Sequence, residues 1–184
     1  MITTRRSLLC FLTVAFATIL MGHTPLHAQP LQQSYVYKTW LPIYRNWSPT
    51  HRDWEDNTTQ SSNKSLAKEM FLLAARKTQR MDVAIIKWWH PKDQDWVTLP
   101  AKGKGSISPA KLKSWGYKNP MLLGYGSQRT FPGSVEVYRW WHPKDRDWVT
   151  IPSKGQGHIP EATLRSWGYT HKMFICHAHQ NSSK

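Results

Sequence analysis

Cysteine is almost absent from this chain: there are two, Cys10 and Cys176. Cys10 lies in an N-terminal apolar segment expected to be removed, which leaves Cys176 alone. That excludes a disulfide framework and a cysteine-built zinc cluster. Acidic residues are also scarce, 11 against 25 lysines and arginines, giving a formal net charge of +14. Such a field disfavours cationic partners and favours anionic ones. Long apolar runs are missing apart from Leu8–Met21, which is shorter than the roughly 20 residues a membrane-spanning helix needs. There is no nucleophile elbow, no phosphate-binding glycine loop and no zinc-protease helix, so the common hydrolase and nucleotide-binding classes have no foothold.

The N-terminus reads as an export signal. Arg5 and Arg6 form a basic n-region, Leu8–Met21 an apolar h-region, and Leu26-His27-Ala28 offers a small residue before the cut. Residues 1–28 are therefore expected to be a signal peptide and residues 29–184 a single repeat domain, secreted or periplasmic, with no membrane span after cleavage. Both the general secretory and the twin-arginine routes fit the paired arginines. Cleavage lowers the formal charge to +12, because it removes two arginines and no acid. The expected partners are a cell-surface glycan or anionic wall polymer, or else a surface protein. Export argues against intracellular nucleic acid.

What the chain does have is repetition and tryptophan. Lys87–Tyr117 and Arg139–Tyr169 align without a gap at an offset of 52, with 21 of 31 positions identical. A third, eroded copy runs from Arg45 to Trp54, where Trp47, Pro49, Asp53 and Trp54 fall in register with Trp89, Pro91, Asp95 and Trp96. The copies span about 35–82, 83–126 and 134–179.

Each copy predicts a β-hairpin. Val135–Trp141 is β-branched and aromatic, His142–Asp147 is a turn, and Trp148–Ile151 is the return strand. The Lys154–Gly157 segment predicts a flexible loop. A short helix over Pro160–Trp167 ends at Gly168, and Lys172–His177 predicts a closing strand. In the first copy a longer helix is expected from Ser65 to about Lys77, with Leu66, Met70, Leu73 and Ala74 on one face. One such unit cannot bury its own apolar side, so the copies must pack together. The expected fold is mainly β with short helices (α+β). Three hairpin-plus-helix repeats would form a closed, pseudo-threefold, trefoil-like or propeller-like body.

The pattern Val137-Tyr138-Arg139-Trp140-Trp141-His142-Pro143, then Asp147-Trp148-Val149-Thr150, a short helix and Gly168-Tyr169, resembles a bacterial secreted tandem-repeat family of unassigned function. The resemblance covers nearly all of residues 29–184. Trp-Val after the aspartate and the eroded first copy depart from that family's pattern. It implies export and about three tandem copies, and it transfers no catalytic residue.

The candidate ligand-binding residues come from comparing the copies. Trp47, Trp89 and Trp141 share one position, and Trp54, Trp96 and Trp148 another. Both sets are expected to be core, as are Trp115 and Trp167. Trp88 and Trp140 correspond to Asn46, and adjacent strand residues point to opposite faces. They are therefore expected to face out and to stack on a ligand. His90, His142, Asp93 and Asp145 beside them would supply hydrogen bonds, and Lys92, Lys102, Lys104, Lys144 and Lys154 would steer an anionic ligand. Each turn's Asp-x-Asp offers two carboxylates, too few for a calcium cage, so Asp95 and Asp147 are read as turn caps. His177 and His179 near Cys176 do not complete a zinc set. No metal, no cofactor and no catalytic residue are expected, and the function predicted is a non-enzymatic binding module. A surface protein–protein adaptor and an exported glycan hydrolase are the alternatives.

Overall fold

A computed structural model describes residues 39–181; the expected signal peptide, residues 1–28, lies outside them. The described chain is mainly β. Its elements are β1 (Trp40–Ser48), β2 (Asp53–Asn57), β3 (Ala67–Ala74), β4 (Val83–His90), β5 (Asp95–Pro100), α1 (Pro109–Ser114), β6 (Lys118–Gly126), β7 (Ser134–His142), β8 (Asp147–Pro152), α2 (Glu161–Ser166) and β9 (His171–His179). Neither described helix is long and apolar enough to cross a membrane.

Each copy builds one antiparallel three-stranded unit. The first strand of the hairpin is central, flanked by its return strand and by the closing strand: β2-β1-β3, β5-β4-β6 and β8-β7-β9. The hairpins fall where the aromatic and β-branched residues predict. Their turns hold Arg52, Gln94 and Arg146 in the left-handed region, at φ 56°, 57° and 59°, one equivalent residue per copy.

The closing strands share a second irregularity. Ile43 pairs with Phe71 and Tyr44 with Glu69, which leaves Met70 as an extra residue. Leu123 is skipped in the same way opposite Ile85 and Ile86, and Ile175 opposite Val137 and Tyr138. Such a bulge lets two consecutive side chains turn inward. Met70, Leu123 and Ile175 are all buried, and they join Ile43, Ile85, Val137 and Cys176 in the largest apolar core. That core is shared by all three units, as expected for repeats that cannot bury an apolar face alone.

Two expectations are corrected. The segment after Ser65 is not a helix: a short 3-10 turn at Lys64–Leu66 leads into β3, which pairs with β1 along its length. The bulge at Met70 lets Met70 and Phe71 be buried along with Leu73 and Ala74, a pattern that imitates helical spacing. Nor is the sheet a closed barrel or propeller. The ladder is open, running β5-β4-β6-β3-β9-β7-β8 with β1 and β2 branching from β3. Among the described residues, strand pairing between units is limited to single pairs, Ala74 with Tyr125, Leu72 with His179 and Ser127 with His177. These tie the closing strands to one another without forming long ladders.

Candidate functional site

The tryptophans sort differently from the sequence reading. Trp88 and Trp140 are buried, 5% and 2% exposed, so they are not stacking platforms. Each lies beneath the helix of its own unit: Trp88 packs with Val97, Leu99 and Leu112, and Trp140 with Val149, Ile151 and Leu164. Leu112 and Leu164 are the buried residues of α1 and α2. Unit 1 has no such helix. Asn46 accordingly replaces the indole and bonds locally, donating to the Thr59 carbonyl and accepting from the Ser61 amide. The asparagine marks a missing cover.

Trp115 and Trp167, expected in the core, are the exposed ones at 49% and 56%. They cap the C-termini of α1 and α2, three residues beyond the buried leucine. The hairpin tryptophans are half-buried and pair across the strands, with ring centroids 5.2, 5.2 and 5.0 Å apart for Trp47–Trp54, Trp89–Trp96 and Trp141–Trp148. A buried cation lies over the second ring of each pair: Arg45 over Trp54, Lys87 over Trp96, and Arg139 over Trp148. Burial pushes the Arg139 guanidinium down to about 10.

His90 and His142 act as braces. Each ring's Nε2 donates to the carbonyl of the exposed tryptophan, Trp115 or Trp167, at 2.8 Å. Each Nδ1 meets the backbone amide and the carboxylate of Asp93 or Asp145. A sharp turn and a helix end are thereby fastened together. Gly116 and Gly168, at φ +98°, let the backbone pass directly over these rings, where a Cβ would come within 3.0 and 2.5 Å of the imidazole. Asp93 is half-buried and also pairs with Arg146 of the next unit, while Asp145 is exposed and makes no such bridge among the described residues.

Two equivalent clefts result. The first, about 340 Å³, lies between units 2 and 3; His90, Trp115 and Tyr117 form one side, and Arg139, Arg146 and Trp148 the other. The second, about 300 Å³, lies between units 3 and 1, with Leu164, Trp167 and Tyr169 facing Arg45 and Trp54. Each combines an exposed indole, a tyrosine and an arginine stacked on a tryptophan. Of the six candidate ligand-binding residues, Trp88, Trp140, His90, His142, Asp93 and Asp145, only His90 and Asp93 line either of these two clefts. Trp115 and Trp167 were legible as repeated positions, but no sequence signal gave the direction in which they point.

A separate polar cluster lies where the return strands converge. Asp53, Asp95 and Asp147, equivalent in the three units, place carboxylate oxygens within 4.8 Å of one another. Burial, then the adjacent Asp147 carboxyl, pushes Asp53 up to about 9. Burial, then the charges of Asp53 and Asp147, raises Asp95 well above the usual range. Three residues further along β2 and β5, the Thr98 hydroxyl donates to the buried Asp56 carboxylate at 2.6 Å.

Comparison of the chain with known protein families, characterised proteins and solved structures finds no match.

Proposed function

We propose that this chain is an exported, non-enzymatic binding module whose ligand is a cell-surface or cell-wall glycan, preferably anionic, held in the two inter-unit clefts. The observation that carries the reading is the repeated exposure of Trp115 and Trp167 at the rims of equivalent clefts. An indole left half in water has a cost to solubility that a contact surface repays. Its flat apolar face suits the C–H face of a sugar ring, and the arginines and the net charge of +14 favour carboxylate- or phosphate-bearing polymers. Two sites per chain also suit a repeating polymer, because linked sites raise avidity without new contacts.

The test is a pull-down on purified wall material, with a glycan array alongside, comparing the parent with Trp115→Ala, Trp167→Ala and the double variant. Each single change should weaken binding about tenfold, the scale of one lost aromatic contact, and the double change should abolish it. Unchanged binding by the double variant would sink the reading.

A protein partner is the second reading. Met121 and Leu122 on β6 are 50% and 54% exposed, in the same unit as Trp115, which gives an apolar patch suited to a protein surface. Cross-linking that recovers a protein, with binding lost on Leu122→Ser and insensitive to competing sugar, would favour it.

A further inference from the structure

The three equivalent aspartates have unfinished chemistry. Asp53 Oδ1 accepts from the Trp54 amide at 2.6 Å, Asp95 Oδ1 from the Trp148 amide at 3.4 Å, and Asp147 Oδ2 from the Tyr169 hydroxyl at 2.8 Å. The remaining oxygens, Asp53 Oδ2, Asp95 Oδ2 and Asp147 Oδ1, are enclosed and have no hydrogen-bond partner outside the cluster. The side chains of Asp53 and Asp95 are more than nine-tenths buried, with Asp95 at 3% exposure. Among the described residues, none of the three aspartates forms an ion pair with a lysine, arginine or histidine. An enclosed acceptor without a partner costs about 1–3 kcal/mol, and three such carboxylates facing one another add mutual repulsion.

We infer that these three oxygens bind one hard divalent cation of about the size of Ca²⁺, which ties the three units together. Oxygens no more than 4.8 Å apart lie at most about 2.8 Å from a common centre. Calcium bonds oxygen at about 2.3–2.6 Å, so the carboxylates need close by only a few tenths of an ångström. Magnesium, at about 2.0–2.1 Å with strict octahedral geometry, demands a larger collapse. With no thiolate or imidazole in the set, zinc and copper are disfavoured. Water and bidentate carboxylate contacts would complete the shell. The site takes one ligand from each unit, so no single turn contains it. It does not depend on the glycan reading, since none of its residues lines either cleft.

The probe is Tb³⁺, which occupies calcium sites and emits when nearby indoles are excited. Trp54, Trp96 and Trp148 directly follow the three aspartates. The chelator-treated full chain should give saturable emission at one ion per chain, displaced by Ca²⁺, and millimolar Ca²⁺ should raise the thermal midpoint by several degrees. Asp95→Asn should abolish both effects. Asp147→Asn, at the least buried of the three positions, serves as a second variant should Asp95→Asn fail to fold by circular dichroism. The proposal is overturned by absence of saturable emission up to millimolar Tb³⁺, which would leave a carboxyl cluster satisfied by shared protons. Stoichiometric binding that survives Asp147→Asn in a folded protein overturns it equally.

Discussion

Unit 1 and its two sisters share a hairpin and differ in what lies above it. In units 2 and 3 a six-residue helix presses Leu112 or Leu164 onto Trp88 or Trp140, and the histidine of the turn locks the helix end in place. In unit 1 the equivalent stretch becomes a 3-10 turn, the indole becomes Asn46, and the histidine position becomes Ser48. Yet unit 1 keeps the aspartate of the turn, the tryptophan pair, the buried cation and the inward bulge. The difference separates two kinds of constraint. The aspartates and the inward residues of the bulges meet their own equivalents from other units, and they persist in all three copies. Residues that serve the helix and its cleft rim persist only where the helix does.

The largest effect that would break this comparison is at the helix-covered indole. Trp140→Ala removes a ring that buries of order 150–250 Å² and should cost about 3–5 kcal/mol. Asn46→Ala should cost about 1 kcal/mol, the scale of its local hydrogen bonds. Urea denaturation of both variants measures the difference, and equal costs would show that Asn46 holds more than its own loop.

A second test addresses what all three units share. In the presence of chelator, the aspartate cluster favours protonation in the folded state, since Asp53 rises to about 9 from an unfolded value of about 4. A group whose folded value is raised contributes its full stability below the unfolded value and loses it as pH climbs through the folded one. The thermal midpoint of the chelated protein should therefore fall between about pH 4 and 9, and Asp53→Asn should flatten that slope. A midpoint that rises across this window would show that the carboxylates are stabilised as anions.

The smallest effect belongs to the hairpin turns. Gln94 sits at φ 57°, where a side chain costs about 1 kcal/mol or more, while glycine pays about 0.5–1 kcal/mol of extra chain entropy. Gln94→Gly, measured by urea denaturation, should therefore gain no more than about 1 kcal/mol, Arg52→Gly should respond alike, and Arg146→Gly should gain less because it also removes the pairing with Asp93.

Much of the fold was legible because the chain states it more than once. The hairpins at β4-β5 and β7-β8, the two short helices and the closing strand β9 follow from β-branched runs, turn residues and capping signals. The helix expected at residues 65–77 failed because one inserted residue in a strand shifts the apolar pattern, and a bulge has no local signature. The site was less legible. Trp88 and Trp140 were placed outward on the rule that adjacent strand residues face opposite ways, which holds. What it does not give is which face the helix covers, because that depends on the path of a loop. The Lys154–Gly157 loop, expected to be flexible, places Gly157 where a Cβ would come within 2.8 Å of Met70 from unit 1, again a contact between distant segments.

The sequence by itself determined three sister hairpins, the strong positive charge and the places where indoles recur, because local backbone preference and duplication act within a few dozen residues. Only the tertiary structure decided which indoles stay wet and that Asp53, Asp95 and Asp147 face one another. Each turn holds a single member of that set, and convergence of the carboxylates is a property of how three units pack, which no spacing along the chain encodes.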